Sequence, residues 1–381
     1  MTRKTVQAWY LVHKWTSLVC TAFLLMLCVT GLPLIFAEEI HHLPGAEPEL
    51  AAPPSGASPA NLDSLIEKAR AQYPGQVPLF LGWYSDEPIV YVNLGPTPDT
   101  APAGMRTALF DAYTGAPVAA PQFNEGLLYF IGRLHTDMLA GLPGKLFLGV
   151  MGVLFTIAII SGVVLYRPFM TKLPFGMVRR DRSRRLKWLD LHNLLGIGTA
   201  GWLLVVGLTG VINTLDEPLY ASWQKGEIAH LTSDYAGKPI PDHFDSIEQA
   251  VQEARKAQPE LKPAFVSYPG TGYSGDHHYG VFMKGNSSLS ERNFQPVLVD
   301  AVTAKLTAVP RWPLALSVMY LSQPLHFGDY AGLPLKIIWG IFDLIAIILL
   351  VSGLYLWLGR RGTSLRLRVR EVSCGGEMEM P

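Results

Sequence analysis

The sequence predicts an α-helical membrane protein, in which a four-helix transmembrane bundle carries two small α+β modules. Composition points there first, since 49% of the 381 residues are hydrophobic and 16% are charged. Four apolar segments, at about 6–37, 144–166, 188–214 and 334–358, are long enough to cross a hydrocarbon core about 30 Å thick. Most of the chain also consists of an internal repeat, with two tandem copies of a helix–module–helix unit. The formal net charge is zero, which gives no indication of a nucleic-acid partner.

The four spans divide the chain into eight segments. These are transmembrane helix 1 (1–37), a module with an interfacial helix (38–143), transmembrane helix 2 (144–166), a basic loop (167–187), transmembrane helix 3 (188–214), a second module with an interfacial segment (215–333), transmembrane helix 4 (334–358) and a tail (359–381). The first span resembles a secretory signal peptide, but its apolar run is longer than a usual signal core and a similar stretch lies in mid-chain. We therefore expect it to be retained as a helix.

Basic residues set the expected orientation. They collect in the loop 167–187, in the N-terminal "TRK" and in the tail "GRRGTSLRLRVR", so these parts are predicted to be cytoplasmic and both modules to lie outside. Of the three cysteines, Cys20 and Cys28 fall in the first span and Cys374 in the tail. No disulfide framework is expected in the modules.

The two copies match in the same order over nearly the whole chain. The first reads "HKWTSLVCTAFLLMLCVTG", "NLDSLIEKARAQYP", "ALFDAYTGAPV", "LHTDMLAGLPGK" and "SGVVLY"; the second reads "HNLLGIGTAGWLLVVGLTG", "FDSIEQAVQEARKAQPE", "VLVDAVTAKLTAV", "LHFGDYAGLPLK" and "SGLYLW". Because the copies run in the same direction, an axis along the membrane normal is expected to relate them. Each module is predicted to pack one amphipathic helix with short strands. The second copy departs from the first at "DAVTAKL", which lacks the glycine of the "DAYTGAP" turn.

Four histidines occupy equivalent places in the two copies. His13 corresponds to His192, and each is followed 18 residues later by a glycine, Gly31 or Gly210. Eighteen residues are five helical turns, so histidine and glycine share one helix face about 27 Å apart. A glycine there permits the close approach of another helix or of a bulky ligand.

The second matched pair is His135 and His326. Each of these histidines precedes the motif Ala-Gly-Leu-Pro-x-Lys, which ends at Lys145 or Lys336. A single histidine at a helix end is usually an interfacial side chain. The recurrence of both pairs instead favours a functional role near the membrane interior.

Opposed imidazoles on different helices are the axial ligands of a b-type haem, which needs no Cys-x-x-Cys-His motif, and the chain contains none. The sequence therefore predicts two non-covalent bis-histidine haems, one between His13 and His192 and one between His135 and His326. Zinc is the alternative, but it prefers three or four ligands and usually a thiolate or carboxylate among them. With both axial positions filled, electron transfer is favoured over oxygen chemistry. Lys145 and Lys336 are predicted either to contact haem propionates or to snorkel to the interface.

Three other sequence features are weaker indications of function. The string "GTGYSG" matches a dinucleotide-site glycine pattern but lies between predicted strands, so we expect a hairpin loop. The pairs His41-His42 and His277-His278 have no counterpart in the other copy, and we expect them to be solvated loop residues; contact with iron or a substrate is the alternative.

Several motifs together resemble those of a known family: "HKW" with "VTG", "HNLLG" with "LTG", "FDAYTGAPV" and the two "AGLP" motifs. In these motifs the chain resembles the PepSY-associated transmembrane proteins, often called iron-regulated membrane proteins. The likeness covers about residues 5–360, and length and arrangement are similar to the ferrisiderophore reductases of that family. The resemblance implies a bacterial inner-membrane protein with two periplasmic PepSY modules, b-type haem, and reduction of siderophore-bound ferric iron, with a hydroxamate siderophore suspected.

Three hypotheses follow for function. In the first, electrons from a quinol or a cytoplasmic reductant enter at the His13–His192 haem, pass to the His135–His326 haem and reach a ferric siderophore docked between the modules. In the second, the chain is a non-enzymatic binding or transport protein, or a regulator of a protease, with structural or metal-binding histidines. In the third, it is a quinol-linked oxidoreductase of other substrates.

Overall fold

The structure is a computed structural model that describes residues 1–41, 56–84, 87–119, 121–170, 174–287 and 290–373. Two compact units emerge from it. The helical unit comprises Met1–Ala37, Phe130–Leu215 and Ser322–Pro381, and the sheet unit comprises Glu38–Tyr129 and Asp216–Leu321. His42 and Cys374, which the sequence places in a loop and in the tail, lie outside the described residues.

The helices, in chain order, are α1 (Arg3–Ile35), α2 (Ala37–His41), α3 (Leu62–Gln72), α4 (Gly126–Asp137), α5 (Leu142–Met170), α6 (Arg184–Asn213), α7 (Asp216–Trp223), α8 (Ala229–Leu231), α9 (Ile247–Ala257), α10 (Leu314–Phe327), α11 (Gly332–Leu358) and α12 (Leu365–Ser373). The strands are β1 (Val77–Trp83), β2 (Ile89–Gly95), β3 (Arg106–Asp111), β4 (Pro117–Val118), β5 (Lys262–Ser267), β6 (His278–Lys284), β7 (Gln295–Asp300) and β8 (Leu306–Ala308).

Within the described residues, four helices are long and apolar enough to cross a membrane: Arg3–Ile35, Leu142–Arg167, Arg184–Asn213 and Asp329–Leu358. Each overlaps one of the four spans expected from the sequence, so the chain is a multi-pass membrane protein. Helix α1 packs against α5 and α11, and α6 packs against the same two helices. The four therefore form a bundle in which α1 lies diagonally opposite α6. Pro143 and Pro334 stand in the first turns of α5 and α11, where a missing N–H breaks no helical hydrogen bond.

The sheet unit contains one antiparallel sheet of eight strands, in the order β4-β3-β2-β1-β5-β6-β7-β8. The strands of the two modules predicted from the sequence, β1–β4 and β5–β8, are the two halves of this sheet, because β1 pairs directly with β5 through Phe80↔Ser267 and Gly82↔Phe265. A four-stranded half sheet would leave the N–H and C=O groups of β1 and β5 exposed at its edge, and the pairing satisfies them. Helices α3 and α9 pack together over the joined strands on a common apolar core.

The two helices also cap each other. The carboxylate of Asp63, near the start of α3, accepts a hydrogen bond from the Ile247 N–H at 2.8 Å, and Glu248, near the start of α9, accepts one from the Leu62 N–H at 3.2 Å. Each carboxylate thus satisfies a free N–H of the other helix and lies near the positive end of its dipole. The two halves are joined by this exchange as well as by their strands.

The predicted loop "GTGYSG" lies between β5 and β6, which confirms the expected connection. The expectation for the other histidine pair was wrong. His277 and His278 are only 9% and 0% exposed, because β6 begins at His278 and the Tyr235 ring packs against both imidazoles. Burial lowers the pKa of His278.

The two aspartate turns adopt the same backbone although their sequences differ. Asp111 Oδ1 accepts from the N–H groups of Tyr113 and Thr114, and the N–H of Thr114 is the main cause that lowers the pKa of the Asp111 carboxyl. Asp300 makes the matching turn. Gly115 has φ +62° and Ala304, where the second copy lacks glycine, has φ +51°. A side chain in this left-handed region is strained by about 1–2 kcal/mol.

We expect Ala304→Gly to stabilise the sheet unit by about 0.5–1 kcal/mol, because relief of the strain exceeds the entropy that glycine adds to the unfolded chain. The matched change Gly115→Ala should destabilise it by about 1 kcal/mol or more, since the new Cβ also lies 3.1 Å from Lys68 Nζ and 3.2 Å from Leu65 Cδ2. Thermal unfolding in detergent, followed by tryptophan fluorescence, measures both. Shifts of the same sign in the two variants would contradict this account.

Candidate functional site

The four matched histidines each lie in a cradle formed by three positions of a neighbouring helix. In every cradle a backbone carbonyl and a hydroxyl three residues later face the histidine Nδ1, and a glycine at the next position faces the ring. The cradles are His13 with Ala158, Ser161 and Gly162; His135 with Leu27, Thr30 and Gly31; His192 with Leu349, Ser352 and Gly353; and His326 with Val206, Thr209 and Gly210.

The distances to Nδ1 are those of hydrogen bonds. His13 Nδ1 lies 2.9 Å from the Ala158 carbonyl oxygen, and His326 Nδ1 lies 3.1 Å from that of Val206. His135 Nδ1 lies 2.9 Å from Thr30 Oγ1, and His192 Nδ1 lies 2.9 Å from Ser352 Oγ.

The hydroxyl groups already donate their own protons elsewhere. Thr30 Oγ1 donates to the Met26 carbonyl at 2.7 Å, and Ser352 Oγ donates to the Leu349 carbonyl at 2.9 Å. Each hydroxyl is therefore left as an acceptor toward the imidazole, as the carbonyls are. The proton of each neutral ring is assigned to Nδ1 on this network, and Nε2 keeps a lone pair. An imidazole that donates through one nitrogen to a carbonyl is the usual form of a histidine that binds a metal through the other.

The glycines allow the rings to approach this closely. A Cβ at Gly31, Gly162 or Gly210 would lie 3.1 Å from the Cε1 atom of its histidine, and one at Gly353 would lie 3.3 Å away. The sequence predicted that Gly31 and Gly210 share a helix face with His13 and His192 and leave space for another helix or a ligand. In the structure, the imidazoles of His135 and His326 occupy the space beside these two glycines.

His135 and His326 face each other, with ring centroids 6.4 Å apart and ring planes at 65°. Two imidazoles that bind one metal ion from opposite sides, through bonds of about 2 Å, have centroids about 6 Å apart. We call these two residues the second imidazole pair. The spacing suits a shared metal ion held between the two rings.

His13 and His192 form the first imidazole pair and line one cavity of about 270 Å³. Gly162 and Gly353 line it as well. Its walls are otherwise largely apolar, and four cationic side chains reach it: Lys14, Arg185, Arg360 and Arg368. The cavity thus combines two imidazoles, apolar walls and several positive charges. Sequence reasoning used these arginines only for orientation, since nothing in their spacing connects them with a histidine.

Each cradle lies within one copy of the repeat, whereas each pair joins the two copies. His13 on α1 is held by α5 and His135 on α4 is held by α1, while His192 on α6 is held by α11 and His326 on α10 is held by α6. A single copy therefore supplies one histidine to each pair.

The segment after His135 is held by strained backbone. Met138 and Leu139 both have positive φ, at 54° and 61°. Asp137 stabilises them by accepting from the Leu139 N–H at 2.8 Å and from Arg133 Nε at 2.9 Å. At Gly144 a Cβ would lie 1.9 Å from the Asp137 carbonyl oxygen, so only glycine lets α5 start this close to α4. Strain of this kind persists where the surroundings over-determine the backbone, which is common at functional sites.

The two predicted lysines are both partly or fully covered. Lys336 is 3% exposed, and its Nζ lies 3.7 Å from Asp329 Oδ1. Lys145 stands half-buried in the first turn of α5. Each lysine thus lies near the start of the transmembrane helix that follows one histidine of the second imidazole pair in sequence.

A buried ion pair fixes the start of α6 close to His192. Asp190 accepts three hydrogen bonds from Arg179, from its backbone N–H at 2.9 Å, its Nε at 3.0 Å and its guanidinium Nη2 at 2.7 Å. The Asp190 side chain is fully buried and that of Arg179 is 11% exposed.

Asp190→Ala should reduce the free energy of unfolding by about 3–5 kcal/mol, because it leaves the Arg179 guanidinium buried without its carboxylate. Glu125→Ala is the control, since its ion pair with Arg106 is exposed, with side chains 60% and 47% accessible, and should cost at most about 1 kcal/mol. Unfolding in mixed micelles measures both changes. Equal losses in the two variants would show that the Asp190 contacts contribute no special stability.

The comparisons with known proteins agree with this architecture. The family model for the PepSY-associated TM region matches residues 10–360. The chain therefore belongs to the PepSY-associated TM region family. A relative from Pseudomonas aeruginosa, named "Uncharacterized protein PA4219", is 28% identical over 262 residues. The match covers 62% of this chain and 65% of that relative, so the chain spans less than two thirds of the relative's length.

Proposed function

We propose that this protein is a di-haem inner-membrane reductase that passes electrons from the cytoplasmic side to ferric iron in a periplasmic siderophore. The observation that carries the proposal is the fourfold cradle: four imidazoles, each with Nδ1 bound to acceptors so that Nε2 is the nitrogen left to bind a metal, arranged as two pairs. A b-type haem, when bound by two imidazoles, supplies one-electron iron chemistry with no open coordination position.

The donor set fits haem better than a bare metal ion. Among the described residues there is no group of three or more His, Cys, Asp or Glu side chains placed to hold a metal ion. Zinc requires three or four such ligands, whereas haem requires two and supplies the other four itself. The apolar walls and cationic side chains of the first cavity also suit a flat apolar ligand with carboxylate substituents.

The protein's own residues have three tasks in this function. The cradle acceptors fix ring orientation and raise the basicity of Nε2. The apolar walls exclude water. Lys14, Arg185, Arg360 and Arg368 stand where carboxylates of a ligand of the first pair would be neutralised, and Lys145 and Lys336 are proposed for the same role at the second pair.

The direction of electron flow rests on the basic loops. With 167–187 and the tail cytoplasmic, the proposal puts the first imidazole pair toward the cytoplasmic leaflet, where a haem held by it would receive an electron from a quinol or a cytoplasmic reductant. A haem held by the second pair would pass that electron to the periplasmic side, on which the two PepSY modules are proposed to lie. The ferric siderophore is the substrate. Reduction weakens its hold on iron, because hard oxygen ligands bind ferrous ion less tightly than ferric ion.

The substrate class rests on the likeness to ferrisiderophore reductases, the ferrioxamine reductase FoxB in particular, and on that likeness we favour a hydroxamate siderophore. The siderophore is proposed to dock where the two modules meet, which in the sheet unit is the junction between β1 and β5.

The purified protein should show a reducible b-type absorption spectrum with two components. His135→Ala and His326→Ala should remove the same component, and His13→Ala and His192→Ala should remove the other, because each haem needs both rings of its pair. Haem content per protein should fall to about half in each single variant. Loss of the same component in His13→Ala and in His326→Ala would refute the pairing. A colourless protein would refute the reductase and leave the binding or transport hypothesis.

The glycines give an independent test that leaves every histidine in place. Gly31→Leu and Gly210→Leu should weaken the component of the second pair by about 10–100-fold in haem affinity, since the displaced ring loses its Nδ1 acceptors. Gly162→Leu and Gly353→Leu should weaken the component of the first pair. Gly201→Leu in α6 is the control, because a Cβ at Gly201 meets no atom within 4 Å. Haem retention during dilution, followed by absorbance, measures the effect, and retention in all four cradle variants would exclude the proposed role of the glycines.

A further inference from the structure

Asp343 places a carboxyl group inside a membrane-spanning helix. It stands near the middle of α11 and is only 7% exposed. The Cys28 thiol on α1 donates a hydrogen bond to this carboxyl, but its Oδ2 atom has no hydrogen-bond partner in the described part of the chain. Ionisable groups at this depth are costly to bury, and helix packing does not require one here. None of the cradles uses Asp343.

The Asp343–Cys28 contact lies between the levels of the two imidazole pairs. On α1, Cys28 is two residues from Thr30, which holds His135, and 15 residues from His13. On α11, Asp343 is nine residues from Ser352, which holds His192. At 1.5 Å per residue these separations are about 3 Å, 22 Å and 14 Å along the helices. The carboxyl therefore lies at about the level of the second pair along the bundle axis, slightly toward the first pair.

Apart from His135 and His326 of the second imidazole pair, few other titratable groups share this depth. Cys28 on α1 faces Asp343, and the remaining titratable residues of α11 are Lys336 and Tyr355, near its two ends. The sequence of α6 contains none from 193 to 213, and that of α5 contains none from 146 to 165. On the segments of helix that surround it, Asp343 is thus the one carboxyl group, since Cys28 and Cys20 are thiols.

We propose that Asp343 takes up a proton when a haem held by the imidazole pairs is reduced. The proton compensates the negative charge that the electron brings into the bundle. This inference rests on the proposed function. In the step, a haem held by one imidazole pair would accept one electron from a quinol or a cytoplasmic reductant, which is oxidised by one electron. One proton moves from hydronium or a buffer acid in the aqueous phase to the Asp343 carboxylate: the O–H bond of that acid breaks, its electron pair stays on the source oxygen, and a new O–H bond forms on the carboxylate.

The physical reason is that charges interact strongly where water is absent. An oxidised haem with two neutral imidazoles carries a net positive charge at iron, which stabilises a nearby carboxylate anion. Reduction removes that positive charge and leaves the anion uncompensated in an apolar surrounding, where the protonated form is favoured. Oδ2 is the atom available for the proton, because it has no hydrogen-bond partner among the described residues. The Cys28 thiol does not compete for the proton, because it already donates its own hydrogen to the carboxyl.

Two measurements on the full-length, haem-loaded protein test the proposal. The first is the midpoint potential of each spectral component as a function of pH, by redox titration with dithionite. For one component of the wild type it should fall as pH rises, toward the 59 mV that correspond to a tenfold change in proton concentration for a one-electron couple. In Asp343→Asn this slope should be lost. In the control Asp242→Asn, which changes an exposed aspartate of the sheet unit, the slope should be unchanged.

The second measurement is the reduced-minus-oxidised infrared spectrum. Reduction should produce the C=O band of a protonated carboxylic acid, which shifts in D₂O, is missing in Asp343→Asn and moves in Cys28→Ala when its hydrogen bond is lost. If Asp343→Asn fails to fold, the wild-type and Cys28→Ala spectra still decide the assignment. A potential independent of pH in the wild type, a slope retained in Asp343→Asn, or a band unmoved in Cys28→Ala overturns the inference and leaves the reductase intact. A protein without haem overturns both, and its absorption spectrum shows this before any titration.

Discussion

The helical unit depends on one contact, in which an imidazole Nδ1–H donates to a carbonyl that already belongs to a neighbouring transmembrane helix. Such a carbonyl has a second lone pair beyond its own helical bond, but a side chain one turn away normally covers it. Glycine at the fourth position uncovers it, and the serine or threonine just before adds an acceptor of its own. The contact therefore fixes three things together: the distance between the two helices, the tautomer of the histidine and the direction of its free nitrogen.

Neither half of the helical unit is complete without the other. Each copy builds its own cradles, but a cradled ring only becomes part of a site when the ring of the other copy faces it. This division has a physical advantage. The contacts that orient each ring lie within one copy, where they are close in sequence and space, while the spacing of the pair is set by how the copies pack. The unit thus separates the orientation of a ligand from the distance between ligands, and both are needed for a ligand held from opposite sides.

The sequence alone predicted the four spans, the equivalent histidines and the small residues of the "TG" and "SG" pairs, because these recur with fixed spacing in the two copies. It did not predict which glycine meets which imidazole, since Gly31 shares a helix face with His13 but contacts His135, and a single helix period does not specify a partner on another helix. The arginines of the first cavity were missed for the same reason. His277 and His278 were misjudged because burial at the start of β6 comes from Tyr235 and a long-range strand pairing, neither of which is visible in a local pattern.

The sheet unit, like the helical unit, needs both copies of the repeat, but backbone hydrogen bonds and helix caps join the copies there. Half of its sheet would expose the unpaired edge of β1 or β5, and half of its helix pair would lack the carboxylate that caps it, since Asp63 serves α9 and Glu248 serves α3. The halves are therefore bound by hydrogen bonds that a single copy has no means to make, in addition to the apolar core that they share. Tolerance to sequence change should then differ between the two kinds of position. The aspartate turn has the same backbone with Ala304 as with Gly115, since strain there is local. The exchanged caps and the cradle glycines, in contrast, act on the other half or on another helix and have no local substitute.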